Sequence, residues 1–183
     1  AIAFDGSSIW VANEGSNNVT KLRASDGTSL GTFPVGTTPV AIVFDGSSVW
    51  VSNHGSNNVT KLRASDGTLL DTLPAGFPPS AIAFDGSSIW VANSDINGGV
   101  VKRRASDWAV LGQSLSGTTP SAIAFDGSSI WVTSINTNNV TKLRASDGTS
   151  LGTFAVGASP VAIAFDGSSV WVANYGSNTV SQR

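Results

Sequence analysis

The string Ala-Ile-Ala-Phe-Asp-Gly-Ser-Ser-Ile-Trp-Val opens at Ala1 and returns nearly unchanged at Ala41, Ala81, Ala122 and Ala162. Successive starts are therefore 40, 40, 41 and 40 residues apart, and the extra residue falls between Asn93 and Val100. A fixed period of this size means one supersecondary unit copied in tandem, each copy burying its apolar surface on its neighbours. Repeats 1–40, 41–80, 81–121 and 122–161 are complete, and 162–183 is a partial fifth.

Within a repeat, short runs rich in Val, Ile, Phe, Trp and Thr alternate with turn residues, and no stretch offers ten residues of helical periodicity. The first repeat predicts strands at Ala1–Phe4, Ile9–Asn13, Asn18–Arg23 and Ser29–Val35, separated by Asp5-Gly6-Ser7-Ser8, Glu14–Asn17 and Ser25-Asp26-Gly27. Four strands per roughly 40 residues is the arithmetic of a propeller blade. The predicted fold is an all-β propeller of four four-stranded antiparallel blades and a three-stranded fifth. A blade sandwiched between neighbours buries both faces of its middle strands, which explains the unbroken apolar run Ile9-Trp10-Val11-Ala12. Trp10, Trp50, Trp90, Trp131 and Trp171 are then expected between blades, the alternative being a ring of exposed, sugar-stacking indoles.

Composition narrows the function classes. Apolar residues make up 40% and charged residues 12% of the 183 positions, with 20 Gly, which is too apolar for disorder and too glycine-rich for a helical bundle. A formal net charge of −2 offers no basic footprint for nucleic acid. No apolar run approaches the roughly 18 residues of a membrane-spanning helix. There is no Cys, hence no disulfide and no thiolate metal site. Without Met or a signal peptide, the chain reads as an excised or processed segment whose targeting is not legible.

The segment Pro39-Val-Ala-Ile-Val-Phe-Asp-Gly-Ser-Ser-Val-Trp-Val-Ser-Asn53, followed by Asn58-Val59-Thr60, Asp66-Gly67 and Pro74-Ala75-Gly76, resembles the YVTN type of propeller repeat. More distantly, the chain is similar to NHL and virginiamycin B lyase propellers. The resemblance spans the whole chain and implies the fold, with Trp standing where the family has Tyr. It implies no single activity, because such propellers host binding, electron-transfer, hydrolytic and lyase roles. Extracellular or envelope placement fits this family and the polar, cysteine-free loops. No cofactor or metal is expected.

The copies differ unevenly. The turn between strands one and two is Asp-Gly-Ser-Ser in all five repeats, whereas the link between strands two and three changes every time: Glu14-Gly15, His54-Gly55, Ser94-Asp95-Ile96-Asn97, Ile135-Asn136-Thr137 and Tyr175-Gly176. The link from strand four to the next repeat also varies, as in Thr37-Thr38-Pro39 and Phe77-Pro78-Pro79. In an up-and-down meander these two variable links share one rim, and the uniform Asp-Gly turns share the other. Loops on a rigid scaffold carry binding, so the candidate ligand-binding rim comprises Glu14, His54, Phe77, Asp95, Asn97, Ile135, Asn136 and Tyr175. Glu14 and His54 are the only Glu and the only His, in equivalent positions on adjacent blades. With Tyr175 they are the candidate acid–base residues for a lyase or hydrolase.

Three functional readings stay open: a non-enzymatic scaffold presenting this rim to a ligand or protein partner, an enzyme using Glu14 and His54, and an engineered or recently amplified propeller with no selected ligand. The partial fifth repeat lacks its outermost strand, and the N-terminus begins with an innermost one. Either five blades close within one chain or two chains share a larger ring. Arg23, Arg63, Arg104 and Arg144 suggest a ring of Arg–Asp pairs between strands. Trp108, replacing a turn Gly in the third repeat, is expected to be exposed.

Overall fold

The computed structural model describes residues 1–94 and 99–183. Among the described residues every element is a strand except two single-turn 3-10 helices, Glu14–Ser16 and Tyr175–Ser177. The strands form four four-stranded antiparallel sheets and one of three strands, each a meander in chain order. This is the blade arrangement of a five-blade β-propeller.

Blade 1 comprises Ile2–Phe4, Ser8–Asn13, Asn18–Arg23 and Ser29–Pro34, and blade 2 comprises Pro39–Phe44, Ser48–Asn53, Asn58–Arg63 and Leu69–Pro74. Blade 3 comprises Pro79–Phe84, Ser88–Asn93, Gly99–Arg104 and Val110–Leu115. Pro120–Phe125, Ser129–Ser134, Asn139–Arg144 and Ser150–Ala155 make blade 4; Pro160–Phe165, Val170–Asn174 and Thr179–Gln182 make blade 5. From blade 2 onward the first strand begins at the proline, two residues before the repeated string. A register shift after Pro39, Pro120 and Pro160 admits a ring that has no N–H to give the ladder.

The chain divides into two compact units, 1–82 and 83–183. In the first unit, Trp10, Ala12 and Val19 of blade 1 form one cluster with Ile42, Val49, Val51, Leu62 and Ala64 of blade 2. In the second, Trp131 and Val140 of blade 4 pack against Val170 and Val172 of blade 5. The two clusters share one rule. In each, the tryptophan side of the earlier blade meets the Ile/Val side of the later one.

In the second strands of blades 2, 3 and 4 all six residues are buried, as the two-sided apolar runs predict. In blade 1, burial alternates, with Trp10 and Ala12 buried and Ile9 and Val11 half-open. In blade 5 the phase reverses: Val170 and Val172 are buried and Trp171 is exposed. Trp171 therefore departs from the expectation that all five repeated tryptophans lie covered between blades.

Phe33, on the outer strand of blade 1, lies against the Gly67 turn of blade 2, where any Cβ would overlap its ring. Blade 3 has Ser114 in that position, and its Oγ donates to the Gly148 carbonyl at 2.7 Å. Trp108 also departs from expectation, because it is buried. Its backbone adopts φ 62°, as the glycine of the other turns does, and the Arg103 guanidinium lies 4.9 Å from its ring centroid.

Candidate functional site

The repeated Asp-Gly-Ser-Ser turn is a closed hydrogen-bond unit. Asp5 Oδ1 accepts from the N–H of Ser7 at 2.9 Å, of Ser8 at 2.6 Å and from Ser7 Oγ at 3.0 Å, while Oδ2 accepts Trp10 Nε1–H at 2.7 Å. The indole bond recurs from Trp50 to Asp45, Trp90 to Asp85, Trp131 to Asp126 and Trp171 to Asp166 at 2.6 to 2.7 Å. Burial pushes the Asp45 carboxyl up, but the bonds from Trp50, Ser48 and Ser47 together outweigh it and hold the pKa below the ordinary value. Asp166, led by the Trp171 bond, is lowered furthest. The turn thus orients the indole as well as reversing the chain. The constant Asp-x-x-x-x-Trp spacing is its signal in the sequence.

Beside this turn, Lys21 Nζ donates to the carbonyls of Ala64 at 2.7 Å and Ser65 at 3.0 Å on the next blade, and Lys102 does the same to Ala145 and Ser146. Clefts of about 240 and 280 Å³ lie here, lined by Asp5, Lys21 and Phe44 and by Asp85, Lys102 and Phe125. The charged groups in both are already committed to these internal bonds.

The arginines do not bridge between strands as expected. Arg23, Arg63, Arg104 and Arg144 each pair with the Asp three residues on, in the same turn, at 2.8 to 3.1 Å. Asp26, Asp66, Asp107 and Asp147 sit within reach there, whereas the carboxylates of the first turn are taken by Trp and Ser. These solvent-screened pairs contribute little to stability.

At the opposite end of the blades the two variable links are tied together. In the first unit, His54 N–H donates to Thr38 O at 2.9 Å, Gly55 N–H to Thr37 O at 3.0 Å and Thr37 N–H to Ser56 Oγ at 3.0 Å. In the second, Tyr175 N–H donates to Ser159 O and Gly176 N–H to Ala158 O, both at 2.9 Å, and Ile135 N–H to Thr119 O at 3.1 Å. Thr38, Thr119 and Ser159 hold φ between 51° and 56°, a region L residues seldom occupy. Asn17 and Asn138 brace two of them, each accepting the N–H of Thr38 or Ser159 on its side-chain oxygen. The links are rigid in backbone while their side chains are free to differ.

The candidate rim residues fall as follows. Glu14 and Tyr175 open the two 3-10 turns and are exposed, Tyr175 at 77%. His54 is half-buried, Phe77 is exposed, and Ile135 is half-buried. Asn136 Nδ2 donates to Thr119 Oγ1 at 2.9 Å. Asp95 and Asn97 lie outside the described residues. Among the described residues neither the Glu14 nor the His54 side chain makes a hydrogen bond or ion pair, and no group of three or more His, Cys, Asp or Glu could hold a metal. No helix among them is long and apolar enough to cross a membrane. A cleft of about 220 Å³ in the first unit is lined by Pro34, Val35, Gly36, Thr60, Leu69 and Thr72.

No family model matches the chain. No curated protein matches it. Solved structures do. A chain of Kuenenia stuttgartiensis hydrazine synthase is 19% identical with a TM-score of 0.80, over 93% of this chain and 54% of that one. A functionally unknown protein from Desulfotomaculum acetoxidans is 19% identical with a TM-score of 0.81, over 99% and 67%. The computationally designed Ika8 protein is 14% identical with a TM-score of 0.80, over 100% and 57%. At these identities the likeness shows the fold alone. The chain spans little more than half the length of the hydrazine synthase and Ika8 chains.

Proposed function

We propose that the chain is a non-enzymatic binding scaffold that presents its variable links to a ligand or protein partner. One observation carries this reading. The links that carry His54, Ile135 and Tyr175 are tied by backbone bonds to the links that precede them, so their differing side chains stand on a braced support, as preorganised binding surfaces require. At the Asp-Gly end, by contrast, the recurrent polar groups are spent on one another. The same reading includes association of the chain with further copies of itself.

The test is a glycan array and a displayed-peptide library probed with the wild-type chain and with a Glu14→Ser/His54→Ser/Tyr175→Ser variant. Binding lost in the variant, with its unfolding midpoint unchanged, supports the scaffold. Binding that survives there and disappears instead on changing the exposed Ser25 and Ser65 would move the site to the other end. The near-identity of the repeats favours a second reading, a recently amplified or designed propeller without a selected ligand, for which neither library yields a binder.

A further inference from the structure

We infer that the clefts beside Lys21 and Lys102 are binding sites for a neutral sugar ring that carries two adjacent hydroxyl groups. Each cleft lies within one unit, at the Asp-Gly end of its blades, so this is a site beyond the variable links. It stands or falls separately from whatever those links bind.

The two clefts are built from equivalent residues. Asp5, Ser7, Lys21, Phe44 and Ser65 line the first, and Asp85, Ser87, Lys102, Phe125 and Ser146 line the second. In each, the lysine clamps the following blade through two carbonyls, which fixes its ammonium in place. The aspartate is fixed as firmly by its serine and indole donors. A ligand seated here therefore has little of the protein to order.

Among the described residues, the polar groups of this end are spent on one another except for a defined remainder. An ammonium has three N–H groups, and Lys21 gives two of them to the Ala64 and Ser65 carbonyls. Asp5 Oδ1 takes three donors, whereas Oδ2 takes Trp10 Nε1–H and keeps a second lone pair. In the second unit Lys102 and Asp85 repeat this arrangement, with Nζ and Oδ2 3.6 Å apart, too far for a hydrogen bond. The Ser65 and Ser146 hydroxyls are exposed and make no hydrogen bond to the described residues.

That remainder selects the ligand. An anion would meet the carboxylate and a cation the ammonium, so the occupant is neutral. Beside a spare N–H and a spare lone pair it must both accept and donate, as a hydroxyl does. The free serine hydroxyl serves a second hydroxyl on the neighbouring carbon. Phe44 and Phe125, both half-buried, offer an apolar surface to the C–H groups of a ring. Lys21 and Lys102 are only 7% and 8% exposed, and bonds to groups so buried are stronger than bonds at an open surface. At about 240 and 280 Å³ the clefts fall just below the roughly 300–1,000 Å³ of sites for drug-sized ligands, which fits one ring.

Titrations followed by amide-detected NMR on the isotopically labelled wild-type chain test this. The probes are methyl hexopyranosides, whose closed anomeric carbon matches a glycan terminus, and the free hexoses, which match a metabolite; binding by either class supports the inference. A dissociation constant of about 1 mM is expected, with shifts at the amides of Ser7, Ser65, Ser87 and Ser146. The deoxy analogue that lacks one of the adjacent hydroxyls is expected to bind about tenfold more weakly. Ser65→Ala/Ser146→Ala, which removes side chains that brace nothing in the fold, is expected to weaken binding about fivefold with the unfolding midpoint unchanged.

Silence at these amides with every sugar at about 100 mM, a hundredfold above the expected constant, overturns the inference. So does a deoxy analogue that binds as well as its parent, or a folded serine variant that binds as well as the wild type. Shifts confined to the amides of the variable links also overturn it, and they leave the scaffold reading standing. Shifts at Ser65 and Ser146 with silent links separate the two readings the other way.

Discussion

Trp171 donates its indole N–H to Asp166 Oδ2 at 2.6 Å, the bond that Trp10 makes to Asp5, yet Trp10 is sealed by the next blade and Trp171 lies open. The bond belongs to the blade and the burial belongs to the neighbour. Separating these two contributions makes the fold testable.

Removing the acceptor isolates the first contribution. Asp45→Ala strips Trp50 Nε1–H and the N–H groups of Ser47 and Ser48 of their partner. A loss of about 2–3 kcal/mol is expected, because a charged acceptor is removed from partly buried donors. Urea unfolding measures it. A change below about 0.5 kcal/mol, the ordinary effect of a surface substitution, would make the turn bonds ornamental.

The same carboxylates set the acid limit of stability. An unfolded Asp titrates near 4, and Asp5, Asp45, Asp85, Asp126 and Asp166 are all held lower in the folded chain. Below about pH 5 the unfolded state thus binds more protons. The stabilisation is complete above the unfolded pKa and is lost as pH falls through about 4 toward the folded values. Unfolding midpoints collected between pH 7 and pH 2 should drop in that window and be flat above it. A midpoint that rises on acidification is the contrary result.

Two glycines with nearly the same backbone separate strain from packing. Gly27 has φ 74° and open space where an added methyl would stand, and Gly67 has φ 77° with the Phe33 ring pressed against it. Gly27→Ala should cost about 1 kcal/mol from the left-handed backbone alone. Gly67→Ala should cost about 1–3 kcal/mol more, through overpacking against Phe33. Equal costs in denaturant unfolding would mean that Phe33 does not seal this junction.

Lys21 is buried, with its ammonium on two carbonyls of the next blade and 5.1 Å from the Trp10 ring centroid. Lys21→Met keeps the aliphatic stem and deletes the bonds. It should destabilise the chain by roughly 1–3 kcal/mol, the range for bonds made by a charged donor. A neutral result would place the clamp outside the stability of the junction.

Much of this is legible in the sequence, because the period fixes the blade and the turn residues fix its strands. The two-sided runs of blades 2, 3 and 4 are readable from Ile9-Trp10-Val11-Ala12 and its copies. What the repeat hides is position. Trp171 and Trp10 have nearly the same neighbours in sequence, yet blade 2 packs over Trp10 while Trp171 lies open. The arginine pairing is hidden because two Asp-Gly turns look alike in sequence, while only the second leaves a carboxylate oxygen free for Arg23. Trp108 is unreadable for another reason, since its burial depends on a left-handed backbone and on Arg103 replacing the leucine of the other blades. On the candidate rim, the pairing of variable links follows from meander topology, whereas the bracing by Asn17 and Asn138 requires the backbone geometry.

The central claim is that the tryptophan faces of blades 1 and 4 are covered by the blades that follow them, whereas Trp171 of blade 5 lies open. Indole oxidation followed by peptide mass spectrometry, done at a dilution where the chain sediments as a monomer, tests it residue by residue. Trp171 should react rapidly while Trp10, Trp50 and Trp90 stay protected. A monomer in which Trp171 is as protected as Trp50 would contradict the account.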